Sequence, residues 1–243
     1  LCAKGLKRAG YCVFGYREYM SLIKGGHSSA QLDIAAEQIR STEEHVNILV
    51  CFNHHGLERN TREVKRGGVI LHQTPQWTFS PEDQAFLGEQ GITVLYLPTE
   101  EILRKLKAKP ILGNMLITAV VWALIGRAPE ELRTLAREQF GHKGEKVVTQ
   151  NEACIDEGFA FARSATGNVT LPAPDSRWAH HLLLTGSHAM GLGAVHAGVR
   201  LYAGYPMTPS SPLLSYIADL QNETGMMIKQ AEDEITAAQM VSG

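Results

Sequence analysis

Apolar residues along this chain fall into two patterns. Short unbroken runs, rich in β-branched or aromatic side chains and bounded by turn residues, occupy residues 11–15 (YCVFG), 46–52 (VNILVCF), 68–72 (GVILH) and 92–97 (ITVLYL). They predict buried strands. Helical stretches lie between them. The clearest runs from Pro81 to Gln90, with Ser80 as cap, Pro81 at the first helical position, Glu82 and Asp83 in the first turn and Gly91 as stop. Alternation of this kind predicts a parallel α/β sheet. Residues 107–140 then read as two helices broken at Gly126-Arg127-Ala128-Pro129, and residues 146–164 as a third.

Residues 164–176 carry two prolines and a glycine without a helical stripe, which predicts a linker. Beyond it the pattern restarts. A small-residue helix is expected over 187–198, a strand over 200–204, a helix opened by Ser211 and Pro212 and closed by Gly225, and a strand over 226–229. Each of these two strands leads into a polar motif, Tyr205-Pro206-Met207-Thr208-Pro209-Ser210-Ser211 in one case and Gln230-Ala231-Glu232-Asp233-Glu234-Ile235 in the other. If the strands are parallel neighbours, Thr208 and the acids share the carboxyl edge of the sheet, where open α/β folds bind ligands.

Composition narrows the partners. A formal charge of −2 with mixed signs gives no basic surplus of the kind that marks nucleic-acid or anionic-membrane binding. The four cysteines, Cys2, Cys12, Cys51 and Cys154, stand far apart with no Cys-x-x-Cys pair, so no zinc site and no iron–sulfur cluster is encoded; reduced thiols in a cytoplasmic protein are expected. The most apolar stretch, residues 111–125, falls short of the roughly 20 residues that span a bilayer and predicts a core helix. Leu1 is not a start methionine and helical pattern is still running at the last residues, so the sequence is expected to be a fragment.

Several polar clusters have plain structural readings. The glycines of residues 186–198 match a phosphate-binding loop imperfectly, and close helix packing accounts for them. Ser211 reads as a helix cap. Glu232, Asp233 and Glu234 suit a helix start, where the dipole favours negative charge. The doublets His54-His55 and His180-His181 lack helical i, i+4 spacing and an acidic partner, and read as structural or surface residues. Residues 18–29 read as a Gly-rich turn between an early helix and the next strand. Thr208 differs, because it precedes the cap at a strand end where a hydroxyl and nearby amides receive a carboxylate. A glutamate shielded from water beside it would suit thiamine diphosphate, which needs a carboxyl group held against N1′ of its aminopyrimidine.

Together these pieces resemble the 2-oxoacid:ferredoxin oxidoreductases, in particular the alpha subunit in which a gamma-type domain is fused ahead of a thiamine pyrimidine-binding domain, as in the 2-oxoglutarate type. Gly10-Tyr11, Glu18-Tyr19 and Ile23-Lys24-Gly25-Gly26-His27 carry the likeness in the first part; Gly204 to Ser211 and Gln230 to Ile235 carry it in the second. The resemblance implies a truncated gamma-type α/β domain over 1–163, lacking its opening Gly-rich strand and turn, a linker over 164–178, and the start of a pyrimidine-type α/β domain over 179–243. It implies CoA-dependent oxidative decarboxylation of a 2-oxoacid, with Thr208 on the substrate carboxylate and Glu234 on the aminopyrimidine, flanked by Tyr205 and Pro206. A beta subunit would carry the diphosphate grip, its Mg²⁺ and the iron–sulfur cluster, and ferredoxin would take the electrons. Ser187-His188 stands where the family more often has Asn and an acidic residue. A different reading from the residues alone is a non-catalytic nucleotide- or CoA-binding α/β module with an assembly or regulatory role.

Overall fold

The computed structural model describes residues 1–20, 26–165 and 169–243. The chain forms two compact units, Leu1–His181 and Leu182–Gly243.

The first unit opens with α1 (Cys2–Arg8) and a hairpin of β1 (Cys12–Tyr19) and β2 (Ser28–Ala35), antiparallel from Cys12 opposite Ala35 to Tyr19 opposite Ser28. The first expected strand therefore does not join a parallel sheet, and Glu18 and Tyr19 end a strand rather than a helix. The outer half of β1 is exposed and polar, so it lacks the apolar run that marks a buried strand. In β2, Leu32 and Ile34 alternate with Gln31 and Asp33 and turn toward the core. Ile23, Lys24 and Gly25 lie outside the described residues.

Next come β3 (Val46–Cys51), α2 (His54–Asn60), β4 (Val64–His72), α3 (Pro81–Gln90) and β5 (Thr93–Tyr96), and the three strands form the expected parallel sheet in the order β3-β4-β5. Val69, Ile70 and Leu71 are wholly buried, as both faces of a parallel sheet require. A register shift between Val46 and Ile48 brings the backbones together at Gly68, where a Cβ would meet Asn47 O at 2.7 Å and Lys65 O at 2.8 Å. Helix α3 begins and ends as its sequence dictates. Ser80 Oγ accepts the Asp83 amide at 3.1 Å, and Gly91 takes φ 60°.

Helices α4 (Thr99–Lys105), α5 (Gly113–Leu124), α6 (Pro129–Phe140) and α7 (Glu145–Ser164) complete the unit. The core gathers around α5, whose Leu116, Val120, Trp122 and Leu124 have no exposed surface. Trp122 Nε1 donates to Ala128 O at 3.1 Å, so its one polar atom is paired. Helices α5 and α7 cross closely at Gly158, where a Cβ would stand 2.6 Å from Ala119 Cβ and 2.9 Å from Leu116 O.

The described part of the segment expected as a linker lies along this unit. Val169 N donates to Leu124 O, Tyr11 Oη to Pro172 O and Asp175 N to Gly10 O, at 2.9, 3.0 and 2.7 Å. Trp178 Nε1 donates to Ala36 O at 2.6 Å, and His181 Nδ1 lies 2.9 Å from Arg177 O, which gives His181 a structural place.

The second unit holds α8 (Gly186–His196), β6 (Leu201–Gly204), α9 (Ser211–Asp219), α10 (Gln221–Thr224), β7 (Met227–Gln230) and α11 (Glu234–Ser242). Thr185 caps α8 through its hydroxyl, which accepts the His188 amide at 3.2 Å. Gly191 is buried 2.7 Å, measured from an added Cβ, from the Tyr216 ring, so the glycines of α8 include one that serves helix packing. The His188 ring lies against the same tyrosine at 4.3 Å between centroids. Gly225 ends α10 at φ 66°. Among the described residues no helix is long and apolar enough to cross a membrane.

Candidate functional site

Strands β6 and β7 pair in parallel, with Leu201 opposite Met227 and Gly204 opposite Gln230. The ladder extends one step further, as Ala231 N donates to Gly204 O at 3.0 Å. The two polar motifs therefore leave neighbouring strands at the same level, on the carboxyl edge.

The first loop is shaped by its own backbone. Met207 N donates to Tyr205 O at 2.8 Å, and Ser210 and Ser211 amides both donate to Met207 O, at 2.8 and 3.1 Å. Ser210 Oγ donates to the Met207 and Tyr205 carbonyls, at 2.7 and 3.2 Å. This corrects the cap expected at Ser211. Ser211 is already helical, and Ser210, which precedes α9, spends its hydroxyl on carbonyls of the turn instead of on helix amides. Tyr205 is half-buried, while Pro206, Met207 and Thr208 are exposed at the tip. The Thr208 hydroxyl makes no hydrogen bond among the described residues.

In the second loop one of the three acids takes the capping role. Asp233 precedes α11 in extended conformation and its carboxylate accepts the Thr236 amide at 2.7 Å, which holds its pKa below the ordinary carboxylate range. Glu234 is the first helical residue, exposed, and its carboxylate makes no hydrogen bond among the described residues. The shielding expected around Glu234 is thus not supplied by the described residues. Asp233 does the capping that the sequence left shared among three acids, and Glu232 and Glu234 are left exposed without a hydrogen bond among the described residues.

A second carboxyl edge lies in the first unit, after β3 and β4. Asn53 caps α2, its Oδ1 accepting Gly56 N at 3.2 Å. His54, His55 and Glu58 converge there, and their ligand atoms lie within 4.8 Å of one another. Sequence reasoning found no acidic partner for this doublet; the helix supplies one, since Glu58 is one turn on from both histidines. Knowing that the helix starts at His54 is the signal that was needed. Behind this edge, His72 Nδ1, Thr74 Oγ1 and Trp77 Nε1 are buried without a hydrogen-bond partner among the described residues.

The cysteines are free, as expected. Burial pushes the Cys51 thiol up to about 12 and the Cys154 thiol to about 11, so both rest as neutral thiols near neutrality.

A likeness to known proteins runs through both units. Residues 1–161 match the family described as pyruvate ferredoxin/flavodoxin oxidoreductase, and residues 192–243 match the thiamine diphosphate-binding domain of pyruvate flavodoxin/ferredoxin oxidoreductase. The chain belongs to the pyruvate ferredoxin/flavodoxin oxidoreductase family. An alpha subunit of 2-oxoacid:ferredoxin oxidoreductase from a Sulfolobus species is 25% identical over 283 aligned residues, covering 97% of this chain and 44% of the relative. A 2-oxoglutarate synthase subunit from Archaeoglobus fulgidus is 41% identical over 61 residues, 25% of this chain and 18% of its own. Among solved structures, 2-oxoglutarate:ferredoxin oxidoreductase from Magnetococcus marinus, with 2-oxoglutarate, coenzyme A and succinyl-CoA bound, superposes with a TM-score of 0.85 at 25% identity, over 98% of this chain and 41% of that one. The chain thus spans less than half the length of these relatives.

Proposed function

We propose that this chain is part of the alpha subunit of a thiamine diphosphate-dependent 2-oxoacid:ferredoxin oxidoreductase of the 2-oxoglutarate type, acting in the cytoplasm, and that its second unit contributes the pyrimidine side of the cofactor site. The observation that carries this reading is the parallel register of β6 and β7, which delivers the Thr208 loop and the Glu234 loop to one carboxyl edge. Two adjacent loops with unengaged polar side chains suit a ligand that bears a basic ring nitrogen on one side and meets a carboxylate on the other.

In this reading the Glu234 carboxyl group shares a proton with a ring nitrogen of the aminopyrimidine, and the Thr208 hydroxyl donates to the carboxylate of the 2-oxoacid. Tyr205 and Pro206 shape the wall between them. Thiamine diphosphate, when bound, supplies the carbon nucleophile and the electron sink that decarboxylation of a 2-oxoacid demands. Covering Glu234 with a further protein surface would favour its protonated form, since desolvation disfavours the charged carboxylate. A beta subunit is the source of that cover, and with it come the diphosphate grip, Mg²⁺ and the iron–sulfur cluster; coenzyme A takes the acyl group and ferredoxin the electrons.

The test is co-expression of the full-length gene with its chromosomal neighbour, followed by 2-oxoacid- and CoA-dependent reduction of a viologen dye. Turnover with a 2-oxoacid is expected, with 2-oxoglutarate preferred. Glu234→Ala lowers kcat by at least about 10²-fold with the fold intact. Thr208→Ala raises KM for the 2-oxoacid more than for CoA. No turnover with any 2-oxoacid would sink the reading, and equal effects on both KM values would remove the carboxylate role from Thr208.

A further inference from the structure

We infer that His54, His55 and Glu58 form a binding site for a borderline divalent transition ion, such as Zn²⁺ or Cu²⁺, at the carboxyl edge of the parallel sheet in the first unit. The site belongs to the first unit, the thiamine site proposed above to the second, and it does not depend on that proposal. All three side chains are exposed, and their ligand atoms lie within 4.8 Å of one another. A tetrahedral shell with bonds of about 2.1 Å sets donors about 3.4 Å apart, so the widest pair closes by at most about 1.4 Å. Exposed side chains make such a movement by small χ rotations.

The helix brings the donors together. His54 and Glu58 are four residues apart and His55 and Glu58 three, so all three project from one end of α2. His55 Nδ1 already stands 3.3 Å from Glu58 Oε2, and the two imidazole centroids are 3.9 Å apart. The neighbouring oxygen donor, Asn53 Oδ1, is occupied by its cap bond to Gly56. Trp77 supports the arrangement from the side, its ring 6.3 Å from that of His54 at a shallow 29°, and Phe79 meets Trp77 edge-on. Two imidazoles and one carboxylate suit Zn²⁺, Ni²⁺ or Cu²⁺ better than Mg²⁺ or Ca²⁺, which prefer all-oxygen shells. Three protein ligands leave a coordination position open to solvent for water or an added anion.

Trp77 makes the site observable. Titrating the chain with Cu²⁺ should quench its fluorescence saturably, and Zn²⁺ should compete and restore it. Trp77→Phe removes the quenched component, which separates it from Trp122 and Trp178. His54→Ala and His55→Ala each raise the Cu²⁺ midpoint at least about tenfold, since loss of even an outer-shell partner commonly costs that much. Far-UV circular dichroism of the variants confirms the fold. Trp178 lies near a second histidine, with its ring 4.8 Å from His181, and provides the control. A quench that survives both His54→Ala and His55→Ala, or that is lost on His181→Ala instead, overturns the assignment.

Discussion

The two units use burial in opposite ways. In Leu1–His181 the side chains of Trp122, Leu116, Leu71 and Ile155 are sealed from water, and helices pack on the parallel sheet. In Leu182–Gly243 the buried apolar side chains of the core are Ile217, Met226 and Ala231, while Leu182 and Ile235 are 76% and 72% exposed and Met190 and Met227 also face solvent. Its sheet has two strands of four residues. An isolated two-stranded sheet is marginally stable in water. The first unit thus closes a core around itself, and the second presents loops from a scaffold with little interior. The residues proposed to face the cofactor sit on the less buried unit.

Substitutions that act on the interior test this contrast most strongly in the first unit. Trp122→Ala should cost about 3–5 kcal/mol, because it removes a sealed aromatic side chain and leaves Ala128 O without its donor. Urea unfolding gives the loss, and amide exchange should place it in α5 and its neighbours. A cost below about 1 kcal/mol, the level of an ordinary surface change, would break the comparison.

A finer test makes one chemical change in both units and expects opposite signs. Gly158→Ala drives a methyl group into Ala119 and the Leu116 carbonyl, where backbone cannot yield, and should destabilise by about 1–3 kcal/mol. Gly193→Ala in α8 meets nothing within 4 Å and should stabilise by about 0.5–1 kcal/mol, through the smaller entropy of the unfolded chain and better helix propensity. Thermal melts of the two variants read both values, and the same sign in both would show that α8 is packed as tightly as α7.

Much of this architecture was legible from residue order. Ser80-Pro81 and Gly91 bracket α3, Gly126 to Pro129 breaks α5 from α6, and the largely apolar runs at Val46, Gly68 and Ile92 became the parallel strands. The hairpin was not legible, since β1 beyond Gly15 and the start of β2 carry polar and aromatic residues whose order comes from cross-strand hydrogen bonds. The approach of Glu58 to the histidine doublet was hidden for a similar reason: it depends on where α2 begins, a boundary that short polar helices announce weakly. In the second unit Thr208 and Glu234 were readable as strand-end residues, whereas the capping role of Asp233 and the turn role of Ser210 required the backbone path.

By itself the sequence determined the strands and helices whose periodicity is strong, the two polar motifs and the family likeness, because apolar pattern, prolines, glycines and short-range caps act within a few residues of chain. Tertiary structure decided which strands pair and in what register, that residues 169–181 lie along the first unit, that Asp233 is the acid that caps α11, and that Glu234 is exposed. Pairing, register and the path of residues 169–181 depend on hydrogen bonds and burial between segments far apart in sequence, of which local pattern carries no record, whereas the choice of Asp233 turns on where α11 begins.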